Sequence, residues 1–249
     1  METRQTMNSQ LYTAASGMIV ERQRLDLIAN NLANVSSPGY RAQRLFSVPF
    51  GRRDAGPLPG APGSNLAVAA GGSYDVPRVG LPRETGRPLD VALDDGSFLT
   101  LQTTAGRRYV RGGSLRVSAA GELTDSLGNR VLDAKNKPIT GLGSATTLTR
   151  DGRVVEKGAE RGRLRVVRDP AEVLRRAGDN LWAAEGREAS LESTDEPLVR
   201  PGWLEGSGTD ALGELGRMIE SQRAFEAYQK LVSLTMNEVN RRAVNDLAG

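Results

Sequence analysis

The sequence predicts an α+β fold in which long N- and C-terminal helices pair as a coiled coil, with an all-β domain inserted between them. Three observations carry this prediction. Near the N-terminus, positions 11, 15, 18, 22, 25, 29 and 32 alternate steps of four and three and are mostly apolar. Near the C-terminus the same spacing runs through 211, 215, 218, 222, 225, 229, 232, 236, 239 and 243. Between them the helical period gives way to short alternating runs broken by Gly, Asp and Pro. The expected boundaries are 1–45 for the first helix and its exit, 46–74 for a Gly/Pro-rich arm, 75–203 for the β domain and 204–249 for the last helix.

The first helix is expected over about 9–34. Its stripe reads Leu11, Ala15, Met18, Arg22, Leu25, Ala29 and Leu32, and only Arg22 breaks it. At ~1.5 Å per residue this is a rod of ~39 Å. It stops at Asn34-Val35-Ser36-Ser37-Pro38-Gly39, since Pro and Gly both end helices. The following "PFGRRDAGPLPGAPGSN" (49–65) reads as a flexible or irregular arm. Strand-like runs then occupy 89–103, 107–124, 129–133, 147–158 and 162–169, with Asp95-Gly96, Gly112-Gly113 and Asp151-Gly152 as turn dipeptides.

The last helix, over about 210–246, would span ~55 Å. Its stripe is Ala211, Leu215, Met218, Gln222, Phe225, Gln229, Val232, Met236, Val239 and Ala243. A sustained 3.5-residue repeat argues for a packing seam, in which Gln222 and Gln229, seven apart, would set register. Leu212, Ile219, Leu231 and Val244 widen the apolar stripe, so more than one neighbour is expected.

Composition narrows the chemistry. Hydrophobic content of 38% with 25% charge places the chain among globular proteins. There is no His and no Cys, which removes the commonest general base, thiol nucleophiles and Cys-based zinc sites. Asp94-Asp95 beside Gly96 reads as turn chemistry rather than as a paired-carboxylate site. Arg161, Arg163, Arg165 and Arg168 read as a solvated strand face. The 33 basic residues are interspersed with 30 acidic ones, and aromatics for base stacking are scarce. The expectation is therefore no enzyme, no cofactor, no metal and no nucleic acid. No apolar run reaches the ~18 residues that span a bilayer, so direct membrane insertion is not expected. The first residues lack the apolar segment of a secretory signal, so any export is expected to proceed without a cleaved signal peptide.

Asn30, Asn31 and Asn34 stand out, because Asn is a mediocre helix former placed here in the last turns of an amphipathic helix. They admit two readings: a cap on a fraying end, or amides that bond a neighbour and fix stacking register. The stretch itself also admits a plain amphipathic helix closed by a Pro-Gly turn; membrane-surface binding is weaker, as Glu21 and Asp26 dilute the basic face.

The run Ala29-Asn30-Asn31-Leu32-Ala33-Asn34-Val35, followed by Ser37-Pro38-Gly39-Tyr40 and preceded by Ser16-Gly17-Met18, resembles the N-terminal signature of bacterial flagellar rod and hook proteins. Ser36 and Arg41 stand where that family has Asn or Ser and Lys or Arg. Pro88-Leu89-Asp90-Val91-Ala92-Leu93 resembles the strand opening the family's β domain, although Asp94-Asp95-Gly96-Ser97-Phe98 replaces the usual Gly-Asp-Gly-Phe-Phe. Gly178-Asp179-Asn180-Leu181-Trp182 resembles its closing strand. Gly202-Trp203-Leu204-Glu205-Gly206-Ser207 resembles the approach to the C-terminal helix, with Gly208-Thr209 in place of Asn-Val. Met218-Ile219-Glu220-Ser221-Gln222-Arg223-Ala224-Phe225-Glu226 is similar to the helix core.

The resemblance covers most of the chain in the right order. It implies a structural axial subunit of the basal-body rod, most like a proximal-rod protein, that self-assembles into a helical tube transmitting torque. Its implied partners are copies of itself, other rod proteins and the flagellar type III export apparatus, and its implied location is the periplasmic rod. The expected assembly interface comprises Asn30, Asn31, Leu32, Asn34, Pro38, Gly39, Leu215, Met218, Gln222, Phe225, Gln229, Val232 and Met236. The alternatives are a distal-rod or hook subunit, a β-domain binding protein with helical dimerisation arms, and a hydrolase using Asp, Ser and Lys.

Overall fold

A computed structural model of the chain describes residues 2–50, 67–194 and 197–248. The fold is mixed α+β: an N-terminal helix, a large β region and a C-terminal helix. It divides into two compact units, one formed by Met1–Val35, Ala42–Pro77 and Thr209–Gly249, the other by Ser36–Arg41 and Arg78–Gly208.

The first unit is built on helices α1 (Glu2–Ala33) and α2 (Ala211–Ala248) and strands β1 (Gln43–Phe50) and β2 (Ala67–Asp75). α1 begins earlier than expected because Glu, Arg, Gln and Met at 2–7 favour helix without contributing to any apolar period. Its last turn tightens, with the Asn34 and Val35 amides donating to Asn30, Asn31 and Leu32 carbonyls. β1 and β2 pair antiparallel and pack on α1. A bulge at Phe46/Ser47 lets the Phe46 ring lie across Gly71, where a Cβ would meet the ring at 2.4 Å. The arm expected over 49–65 thus begins in paired strand; its 51–66 portion lies outside the described residues.

α1 and α2 run antiparallel; the inward face of α1 is one residue off its predicted stripe, while that of α2 keeps Met218, Phe225 and Val232 of its stripe and takes the preceding residue in place of Leu215, Gln222, Gln229 and Met236. On α1 the inward residues are Ala14, Gly17, Glu21, Arg24, Ile28 and Asn31. On α2 they are Glu214, Met218, Ser221, Phe225, Tyr228, Val232 and Thr235. Gly17 lies under the Tyr228 ring, where a Cβ would come within 2.6 Å of a ring carbon. Half of this seam is polar or lacks a side chain, so a count of apolar residues drifts to the adjacent positions. Gln222 and Gln229 are exposed and set no register against α1; Gln222 donates to Glu226 on its own helix.

The second unit is all β. Strand Ser97–Thr103 turns tightly into Gly106–Val110 and also pairs with Val166–Arg168 and Arg130–Val131. Leu99 and Leu101 point into one core with Leu115, Leu123, Val131, Val154, Leu164 and Val166, all almost fully buried. Each such side chain contributes ~1.5–3 kcal/mol by leaving water. Phe98, on the other face, packs with Tyr109, Val167 and Leu174, edge-on to Trp182. Asp151-Gly152 makes the expected hairpin between Thr146–Leu148 and Arg153–Glu156. Gly112-Gly113 does not form a turn. It lies in strand Gly112–Ser114 against Asp90–Leu93, where a Cβ on Gly112 would fall 2.4 Å from the Val91 carbonyl oxygen.

Candidate assembly interface

The helical unit is pinned by an interlocked polar cluster. Asn31 is fully buried. Its Oδ1 accepts from the Gln43 amide at 2.8 Å, and its Nδ2 donates to the Gln43 carbonyl at 2.9 Å. One side-chain amide thus pairs with both backbone groups of one residue as a neighbouring strand would, fastening the start of β1 to α1. Nδ2 also lies 3.4 Å from Glu214 Oε2. Glu214, likewise fully buried, accepts from Arg44 Nη2 at 2.6 Å, Arg44 Nη1 at 3.0 Å and Arg217 Nη2 at 2.8 Å. Burial by itself would raise its pKa; the Arg44 and Arg217 contacts outweigh that and hold it below the ordinary glutamate value. About two turns along α2, Ser221 donates to Glu21 Oε2 at 2.6 Å, and Arg24 pairs with Glu21 Oε1 at 2.6 Å.

The Asn31 amide thus has its oxygen and its nitrogen engaged inside the chain, with the Gln43 backbone and Glu214. Asn34 serves the helix end, donating from Nδ2 to the Asn30 carbonyl at 2.9 Å. Asn31→Leu is therefore expected to destabilise the isolated chain, since it strands the Gln43 peptide at ~1–3 kcal/mol per buried group. Asn34→Ser, nearer solvent, should change stability by less than ~0.5 kcal/mol. Thermal unfolding of the purified variants by far-UV circular dichroism checks both; an unchanged midpoint for Asn31→Leu would refute the intrachain account.

Pro38 and Gly39 belong to the short segment Ser36–Arg41, which is held in the β unit. Gly39 adopts φ 65°, a left-handed conformation natural to glycine, and a Cβ there would press on Arg111. The Gly39 amide donates to the Glu205 carbonyl at 3.0 Å, and the Gly208 amide donates to the Tyr40 carbonyl at 2.8 Å. Asn180 Nδ2 donates to the Pro38 carbonyl at 2.8 Å. Asp179 and Asn180 carry positive φ, so this part of the expected closing strand is a turn preceding Trp182.

Below the segment, Arg111 pairs with Glu205 Oε2 at 2.9 Å and with Asp95 at 3.2 Å, while Arg41 lies 3.5 Å from Glu205 Oε1 and 3.3 Å from Asp95. Burial, and then the neighbouring Arg111, lower the Arg41 pKa. The Arg176 guanidinium lies over both the Tyr40 and Trp182 rings and donates to the Arg41 carbonyl. Sequence reasoning missed Arg41, Arg111, Glu205, Glu214 and Glu21, because charged residues far apart in the chain carry no mark of their pairing. The one local hint was Glu214-x-x-Arg217, an i,i+3 pair.

The remaining predicted positions divide by face. Met218, Phe225 and Val232 are half-buried on the α1-facing side of α2, and Leu32 is half-buried on α1. Asn30, Leu215, Gln222, Gln229 and Met236 are exposed, as are Leu212, Ile219, Leu231 and Leu234. Among the described residues no cluster of acidic, His or Cys side chains suited to a metal is found, and no helix is long and apolar enough to cross a membrane.

The helix pair is closed by a specific polar seam and leaves apolar residues on its outer faces. Comparison with known proteins gives the class of protein. Residues 11–41 match the family described as flagella basal body rod protein, and residues 200–246 match the flagellar basal body rod FlgEFG protein C-terminal family. The chain is 31% identical over 246 residues to the flagellar basal-body rod protein FlgF of Caulobacter vibrioides, covering 97% of this chain and 98% of that protein. It is 30% identical to FlgF of Escherichia coli, covering 94% and 97%. It is 26% identical to the rod protein FlgG of Bacillus subtilis, again covering 94% and 97%. The chain belongs to the flagellar basal-body rod protein family, whose members are structural subunits of the basal body and not enzymes.

Proposed function

We propose that this chain is an axial subunit of the proximal rod, assembling with copies of itself and with other rod proteins into a helical tube that transmits torque. The observation that carries the reading is the antiparallel pair of α1 and α2, whose outer faces keep Tyr12, Ile19, Leu212, Ile219 and Leu234 exposed. Buried polar contacts give each subunit one helix register, and an assembly of many copies needs identical subunits. The 3.5-residue spacing of the inward residues supports coiled-coil packing of the two helices. Asn30, Asn34, Leu215, Gln222, Gln229 and Met236 are the proposed neighbour-facing residues of the original set; Asn31, Pro38 and Gly39 act indirectly by fixing the subunit's own shape. A single modest β unit favours the proximal rod over a hook subunit. The rod would lie in the periplasm, reached through the flagellar type III export apparatus.

The test is a stop codon at Leu231 in the motile parent bacterium. It removes Val232, Thr235 and the rest of α2, while the β core around Leu99 and Leu101 keeps all its partners. Cells should become non-motile and lack assembled rods, and the purified truncation should retain a cooperatively unfolding β unit. Motile cells carrying the truncation would overturn the reading.

A further inference from the structure

The outer faces of the two helices complement each other, in charge and in size, in an antiparallel register distinct from the one used within the chain. On α1 the exposed stripe runs Tyr12, Ile19, Arg22, Asp26, Ala29 and Ala33. Tyr12 is 75% and Ile19 58% exposed, and no ion pair engages Arg22 or Asp26 among the described residues. On α2 the stripe opposite the seam carries Gly216, Ile219, Arg223, Glu226, Lys230 and Leu234, all exposed. Gly216 has open space where a Cβ would stand, so nothing within the chain calls for glycine there, although glycine is the poorest non-proline helix former.

We infer that the outer face of α1 in one copy packs against the outer face of α2 in the next, with Arg22 on Glu226 and Asp26 on Arg223. This rests on the rod-subunit reading. Copies in a tube share one polarity along its axis, so α1 of one copy must run antiparallel to α2 of any other. In the antiparallel register that sets Arg22 against Glu226, Asp26 meets Arg223 and the small Ala29 meets the bulky Ile219. Ala33 then meets Gly216, which allows the helix backbones to approach closely, and Ala15 meets Leu234. The apolar residues that this contact covers flank the two ion pairs on both sides, so the charges fix register while the apolar surface supplies the attraction.

Within one chain Gly17 faces Tyr228 and Glu21 faces Ser221. The contact between copies is shifted by about four residues, or ~6 Å along the helix. A head-to-tail contact with such a stagger does not close into a flat ring; it propagates as a helical array.

The experiment is charge reversal in the full-length chain, supplied to a strain deleted for its gene. Arg22→Glu and Asp26→Arg should each cut the fraction of cells with complete rods by about tenfold or more, since like charges would meet at every subunit contact. Arg22→Glu with Glu226→Arg should restore rods and swimming, and so should Asp26→Arg with Arg223→Asp. Thermal unfolding of each purified single variant at the parental temperature separates a lost contact from a lost fold. Single reversals that swim like the parent would overturn the contact. So would rescue of Asp26→Arg by Lys230→Asp instead of Arg223→Asp, or failed rescue by double variants whose purified forms unfold at the parental temperature. A deletion strain that swims without any copy would instead overturn the rod-subunit reading itself.

Discussion

Glu205→Ala is expected to destabilise the β unit by ~3–5 kcal/mol and to release the segment Ser36–Arg41 from it. Glu205 is the carboxylate that Arg41 and Arg111 share, and all three side chains are nearly inaccessible: 5%, 9% and 4% exposed. Deleting one member of a buried ionic group leaves uncompensated charge in the interior, and here two guanidiniums would be stranded. Asp95 cannot take over, because its carboxylate is 75% exposed and its attraction is weakened by solvent. Asp95→Ala should accordingly cost less than ~1 kcal/mol. Trypsin offers a local readout. The Arg41–Ala42 bond is protected while Arg41 is buried, and Glu205→Ala should make it an early cleavage site. A parental cleavage pattern and melting temperature in Glu205→Ala would show that the cluster does not hold the segment.

Glu214→Ala should destabilise the helical unit by about 3 kcal/mol, at the low end for a buried pair because Arg44 and Arg217 both reach solvent. Three hydrogen-bond donors and the Asn31 amide lose their common acceptor in one step. The same residue confers acid sensitivity. Its folded-state pKa lies below the ordinary value, so its ionised form is favoured by folding. The stabilisation is therefore fully present above the unfolded value of ~4.3 and is lost as pH falls through the lower folded value. Denaturant titrations of the parent between pH 7 and pH 3 should show this loss, and Glu214→Gln should lack that component. Equal acid dependence in the two proteins would assign it to other carboxylates.

The class of fold was legible because each part of the chain has its own period. Heptad-like spacing at both ends and turn-bounded alternation between them leave few other arrangements. The Asp151-Gly152 hairpin was legible for the same local reason, since its turn chemistry needs nothing from afar. The faces of the helices were not. Hydropathy drew the seam through Leu215, Gln222, Gln229 and Met236 as well as Met218, Phe225 and Val232; the chain keeps the last three inward, exposes the first four and buries Glu214, Ser221 and Thr235 instead. Polar residues become interior only when partners satisfy them, and those partners, Asn31 and Glu21 among them, lie about two hundred positions away. Gly112-Gly113 misled similarly: a glycine pair signals a turn in isolation, but here it admits the Val91 carbonyl.

By itself the sequence determined the two long helices, the β region between them, and the family signature in 28–44 and 218–226, because periodicity, turn residues and short motifs are properties of neighbours in the chain. Only the tertiary structure decided which helix faces meet, that the Asn31 amide grips the Gln43 peptide, and that Arg41, Arg111 and Glu205 converge beneath Pro38-Gly39. Those outcomes depend on pairing buried polar groups across long separations, and the free energy of a buried charge is set by its partner in space rather than by its neighbours in sequence.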